Sequence, residues 1–157
     1  MSLTIRYQLV GTGWAKCHVS DGLASCELSA SYLSNPLYNL LLAATAAIAG
    51  FSALTFRFDE EPGEFRWVIR SPRLNEIDVE VLEFDELLGD KPDSEGRSLF
   101  KTRCLPMTFA QAVYSAAKSV LTEYGENGYI EKWAEHPFPT LQFQELGRLI
   151  TEIEGDG

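Results

Sequence analysis

The chain has 157 residues, 45% of them apolar, and a formal net charge of −10. That length fits one domain, and that apolar fraction fills a core without disulfides or metals, so a disordered chain is excluded. The acidity works against nucleic acid and anionic membranes as partners, because phosphates repel it and no Lys/Arg stripe is present to release counterions.

The charge is unevenly spread. No charged side chain occurs from Leu28 to Phe56, and before that Arg6 and Lys16 balance Asp21 and Glu27. The whole net charge therefore lies after Phe56. The start, MSLTIRYQLV, lacks the basic and long apolar stretches of a signal peptide, so a cytoplasmic location is expected. The run from Pro36 to Leu54 is long enough to span a bilayer, but its six alanines, Asn39, Thr45, Gly50 and Ser52, with no flanking basic cluster, make a membrane helix a poor reading.

In chain order, Leu3, Ile5, Tyr7 and Leu9 alternate with polar residues and predict a strand. Gly11-Thr-Gly13 is a turn. Segments 14–20 and 23–30 flank Asp21-Gly22 and predict a hairpin with a two-residue loop. That loop puts Ser20 opposite Leu23, Lys16 opposite Glu27 and Cys17 opposite Cys26, with Ala15, Cys17, Val19, Ala24, Cys26 and Leu28 on one apolar face. Asn35 as cap, Pro36 at the first position and Gly50 as stop predict a helix over 36–49. Its stripe is Leu37, Leu40, Leu41, Ala44 and Ile48, and its small face is Asn39, Ala43, Ala46 and Ala47. Without charge on any side, it should be covered nearly all round.

Four further strands follow. Segment 52–59 points Leu54, Phe56 and Phe58 inward; Pro62-Gly63 turns; segment 64–71 points Phe65, Trp67 and Ile69 inward. Ser71-Pro72 starts another turn. Segment 76–84 points Ile77, Val79 and Val81 inward, and after a polar loop over 85–97, segment 98–104 points Phe100, Thr102 and Cys104 inward. The charged outer face of these strands reads as wet. Thr108-Phe-Ala-Gln111 is a capping box opening a helix to Tyr124, closed by Gly125. A short helix over 127–135 stops at His136-Pro-Phe-Pro139, and Thr140 opens a last helix to Ile153 with Leu141, Leu146 and Ile150 inward. The sum is a single α+β domain. It has one mostly antiparallel sheet of six or seven strands, a buried central helix and C-terminal helices.

No constellation specifies catalysis. Tyr114 and Lys118 share the spacing of the short-chain dehydrogenase pair, but Gly11-Thr-Gly13 lacks the third glycine of a nucleotide fingerprint and leads into a strand. Cys104 has no nearby base, and Glu60, Glu61 and Glu64 sit at a hairpin tip, where water keeps carboxylates ordinary. His18 points away from Cys17, so no zinc set forms, and Lys91-Pro-Asp93-Ser-Glu95-Gly96 departs from a calcium loop at its first and last ligands. No metal and no cofactor is expected. Three cysteines without an export signal read as reduced core thiols.

Two features point to a partner. The belt 76–95 holds nine acids against Lys91 alone. If Ile69 pairs with Ile77, its strand part sets Glu76 opposite Arg70 and Glu80 opposite Arg66, and Lys101 and Arg103 come from the other side. Its loop carboxylates, Asp85, Glu86, Asp90, Asp93 and Glu95, have only Lys91 and Arg97 nearby and could dock a basic protein. Tyr129 and Trp133, with Phe138 in the stiff stretch after them, are aromatic anchors for a partner or a second copy. A homodimer through the alanine face or the C-terminal helices, and a small-ligand pocket between helix and sheet lined by Asn39, Ala43 and Ala46, are the other readings.

Three blocks carry a resemblance: Ser31-Tyr-Leu-Ser-Asn-Pro-Leu with Asn39-Leu-Leu, Glu61-Pro-Gly-Glu-Phe-Arg-Trp67, and Gly128-Tyr-Ile-Glu-Lys-Trp133 with His136-Pro-Phe-Pro139. They resemble blocks in small uncharacterised bacterial acidic α+β proteins, some of which act as immunity partners in bacterial toxin systems. The resemblance implies a non-enzymatic protein-binding module that neutralises a basic toxin, and it carries over no catalytic residue.

Overall fold

In a computed structural model of the protein, residues 2–51, 53–60, 62–86 and 91–156 are described, Asp156 by its backbone alone. The elements are β1 (Thr4–Val10), β2 (Trp14–Ser20), β3 (Ser25–Ser31), α1 (Pro36–Ile48), β4 (Ala53–Asp59), β5 (Glu64–Arg73), β6 (Glu76–Phe84), β7 (Arg97–Cys104), α2 (Pro106–Trp133) and α3 (Thr140–Asp156). The α+β class and the element order are those the sequence predicts.

The single sheet is not. The strands form two antiparallel sheets, β1-β2-β3 and β4-β5-β6-β7. The uncharged helix α1 lies between β3 and β4 in the chain, so β4 opens a new ladder instead of extending the first. Side chains tie the two together. Ser31 Oγ donates to the Asp59 carbonyl at 3.1 Å, and the Asp59 N–H donates to Ser34 Oγ at 3.0 Å. The Thr102 hydroxyl donates to Asp21 at 2.8 Å, joining β7 to the β2–β3 loop. Both inner faces meet one shared core, built from Tyr7, Cys17 and Leu28 on one side, Phe58, Trp67 and Val79 on the other, and the helices between.

Leu37, Leu40, Leu41 and Ala44 of α1 are fully buried. Each leucine contributes about 1.5–3 kcal/mol by leaving water. Ala43 and Ala47 are also buried, and Leu42 is the large side chain of α1 that stays exposed. Asn35 precedes Pro36 as expected, but its side chain makes no capping bond. Helix α2 starts at Pro106, two residues before the predicted box, because proline at the first position needs no N–H partner. It breaks at Gly125, whose φ of 68° and ψ of 173° leave the helical region. In α3 the buried stripe runs through Phe143, Leu146 and Ile150, and Leu141 is 74% exposed. Five residues before Leu146, it lies about 140° around the helix. Helix α2 covers the first sheet: Tyr124 donates to the Leu9 carbonyl, 115 residues away, and the Gly13 N–H donates to the Lys132 carbonyl at 2.6 Å.

Both predicted hairpin registers are displaced by two residues. Ser20 pairs with Ser25, so Cys17 faces Leu28 and Cys26 faces Val19. The cause is Asp21. Its Oδ1 accepts the N–H groups of Leu23 and Ala24 at 2.9 and 2.8 Å, which widens the loop to four residues. A shift of two keeps side chains on their face, so the apolar face survives without Ala24. The three cysteines are free thiols. In the second sheet Ile69 pairs with Val79, not Ile77. Ser71 and Pro72 continue β5, and the turn falls at Leu74-Asn75, where Asn75 takes a φ of 60°. Asparagine tolerates that left-handed backbone better than most residues.

Candidate functional site

The acidic loop begins where β6 ends and returns at β7. The outer face beneath it is not uniformly wet. Val68, Leu82 and Phe84 form a second small buried cluster there. A register irregularity between Val81 and Leu82 adds to the face. Over this cluster lies the Arg66 guanidinium, 4.1 Å from the Phe84 ring centroid. Gly96 closes the loop against the same ring, and a Cβ there would stand 2.7 Å from Phe84 Cζ.

Arg66 is the hub. Its Nη1 donates to the Lys91 carbonyl at 2.7 Å and to Asp93 at 2.9 Å, and its Nε lies 3.6 Å from Glu64. Arg70 donates to the other Asp93 oxygen at 3.0 Å. Asp93 is therefore not free for a partner: it is clamped to its own sheet by two arginines, a correction to its predicted isolation. The side chain of Glu64 is 0% exposed and that of Arg66 is 13% exposed. Among the described residues neither Glu64 oxygen accepts a hydrogen bond. Its charge is balanced by Arg66 on one side and Arg57, at 3.9 Å, on the other. Glu60, at the neighbouring end of β4, accepts a bond from Ser29, and burial raises its pKa.

The strand part of the belt is paired within the fold. Arg103 donates to Asp78 at 2.7 Å and holds that carboxyl below its usual range. Arg73 and Arg103 both lie 3.5 Å from Glu76, Arg97 pairs with Glu83, and Ser98 donates to Glu80 at 2.8 Å. The pairings differ from those predicted because the register is displaced: Arg70 faces Asp78, and Arg66 faces Leu82.

Asp85, Glu86 and Glu95 remain exposed. Lys91 approaches Glu86 at 4.0 Å. Asp90 lies outside the described residues. Tyr129, Trp133 and Phe138 are not surface anchors: all three are buried. Tyr129 meets Phe138 edge-on at 5.6 Å, and Phe138 meets Phe143 at 5.7 Å. The Gly13–Lys132 bond pins this segment to the β1–β2 turn, which turns its rings inward. Tyr114 stacks on Phe143 at 4.7 Å in the α2–α3 seam, while Lys118, one turn on, is exposed. Burial raises the thiol pKa of Cys104 to about 11.

A groove of about 330 Å³ lies between α1 and β4, lined by Asn39, Leu42, Ala43, Ala46, Leu54, Thr55 and Phe56. It occupies the small-residue face named from the sequence. Among the described residues no helix is long and apolar enough to cross a membrane, and no group of three or more His, Cys, Asp or Glu is placed to hold a metal ion. Comparison with known protein families, with curated proteins and with solved structures gives no match for this chain.

Proposed function

We propose that the chain is a non-enzymatic module that binds a basic protein partner, of the kind an immunity protein makes with a toxin. The observation that carries this reading is the clamp of Arg66 and Arg70 on Asp93. It spends one loop carboxylate on fixing the segment that enters β7, where Glu95 is displayed, while Asp85 and Glu86 stand exposed just past the end of β6. A pre-ordered acidic surface loses less entropy on docking and steers a cationic partner toward it.

The test is affinity capture from the native host at low and high salt, with wild type and with an Asp85→Asn/Glu86→Gln/Glu95→Gln variant. A basic partner held by the wild type and released by salt and by the variant supports the reading. A partner indifferent to both changes, or capture of none, refutes it.

The groove beside α1 supports a second reading, a small apolar ligand held between helix and sheet. A thermal-shift screen that raises the melting temperature with apolar compounds, and fails to do so for Ala43→Leu, would favour it over the first.

A further inference from the structure

The outer face of β1–β3 differs in sign from the rest of this acidic chain. Its strands lie in register as cross-strand rows: Val10, Trp14 and Ser31; then Gln8, Lys16 and Ser29; then Arg6, His18 and Glu27. Rows on one face are about 7 Å apart, twice the strand rise. Arg6, Lys16 and His18 thus share these rows with one carboxylate among the described residues, Glu27. With Gln8 they line a depression of about 190 Å³. Lys16 lies 3.8 Å from Glu27, a loose pair with both partners exposed. The next carboxylate, Glu60, reaches the face only at its β3 edge, where Ser29 donates to it. One row beyond Lys16, Trp14 leaves 39% of its surface open, while Trp67 and Trp133 are 0% exposed.

We propose that this face binds a nucleoside phosphate. The phosphate is the group that Arg6, Lys16 and His18 recognise, since arginine and lysine pair with phosphate oxygens by charge-assisted hydrogen bonds. The Gln8 amide donates to or accepts from a ribose hydroxyl, and the Glu27 carboxylate accepts from one. The base stacks on Trp14, because any base offers a π-face to an exposed indole. Trp14 thus stands partly open beside a guanidinium, an ammonium and an imidazole, on the face of the sheet turned away from the core. The surrounding negative surface keeps long polyanions away and leaves a site suited to a small phosphate ester.

The full chain is titrated with adenosine monophosphate, inorganic phosphate and adenosine, followed by calorimetry and by tryptophan emission. An emission change reports Trp14, because the other two indoles are shut off from solvent. The expected order is adenosine monophosphate tightest, phosphate weaker, adenosine weakest. Arg6→Ala and Lys16→Ala each weaken the nucleotide about tenfold, the loss of one hydrogen bond to a charged group. Both side chains are exposed, so far-UV spectra stay unchanged. Trp14→Leu weakens the nucleotide and leaves inorganic phosphate unaltered. The Asp85→Asn/Glu86→Gln/Glu95→Gln variant binds the nucleotide as wild type does, so this site and the acidic loop stand or fall separately. No saturable nucleotide binding by the folded chain at millimolar concentration, or binding indifferent to both Arg6→Ala and Lys16→Ala, overturns the proposal. Equal affinity for phosphate and nucleotide, unmoved by Trp14→Leu, overturns the nucleoside part of it.

Discussion

At the scale of single residues, Arg66 sits where several requirements meet. It neutralises buried Glu64, caps the Lys91 carbonyl, holds Asp93 and lies on Phe84. Arg66→Met keeps the volume and removes the charge, stranding a carboxylate from which water is excluded. Breaking a buried pair in this way costs about 3–5 kcal/mol, and Arg57 on the other flank of Glu64 should bring the loss toward the lower end. Urea unfolding is expected to show it, with most of the loss recovered in Arg66→Met/Glu64→Gln. A loss of under about 0.5 kcal/mol, as at ordinary surface sites, would mean that Glu64 is not dependent on Arg66. The thiols give a second check. Burial raises the pKa of Cys26 and of Cys104 to about 11 each, and that of Cys17 higher still. At pH 8 the native chain should therefore react with a thiol reagent far more slowly than free cysteine does. Half-buried Cys26 should react first of the three, because the thiolate is the attacking form.

Element by element, two glycines in the C-terminal helices should respond oppositely to alanine. At Gly147 a Cβ would stand 2.9 Å from Tyr114 Cε2, a ring already stacked on Phe143. Gly147→Ala must push α3 off α2 and is expected to cost about 1–3 kcal/mol. At Gly128 the nearest atom to such a Cβ is Tyr124 Cβ at 3.5 Å, ordinary contact. Gly128→Ala should raise stability by about 0.5–1 kcal/mol through helix propensity alone. Thermal melts of the two variants check the pair. The same scale shows what the sequence makes legible. Alternation located all seven strands, and Asn35-Pro36 and Gly50 bounded α1, because these are local signals. Register was missed twice because it is set by turn chemistry: the Asp21 carboxylate folding onto Leu23 and Ala24, and Asn75 accepting a positive φ. The split into two sheets has no local signal at all, since free strand edges look alike in sequence. The clamp on Asp93 joins residues more than twenty positions apart, so the loop acids read as a uniform set. The inward turn of Tyr129, Trp133 and Phe138 depends on a bond from Gly13, far outside the segment.

For the whole molecule, the response to acid follows from three carboxyls. Hydrogen bonds to the Ala24 and Leu23 N–H groups hold Asp21 below its usual range, and Arg103 and Arg148 do the same for Asp78 and Glu145. A carboxyl depressed in the folded state contributes stability above its unfolded value, about 4, and loses it as pH falls through the folded value. Glu60, raised by burial, works the other way: its protonation favours the folded state. Three groups against one predict that the melting temperature falls as pH drops from 5 toward 3. Asp78→Asn should flatten that fall, and a melting temperature that rises over this window would contradict the assignment.

The cover of the first sheet also bears on birth order. The meander up to Ser31 emerges from the ribosome early, yet α2, which seals its inner face at Leu9 and Gly13, is made some hundred residues later. Until then Ile5, Tyr7, Leu9 and Val19 have no lid, so the growing polypeptide carries an open greasy ribbon through most of its synthesis. A chain stalled before residue 106 should recruit chaperones and resist solubilisation, whereas one released after residue 133 should not.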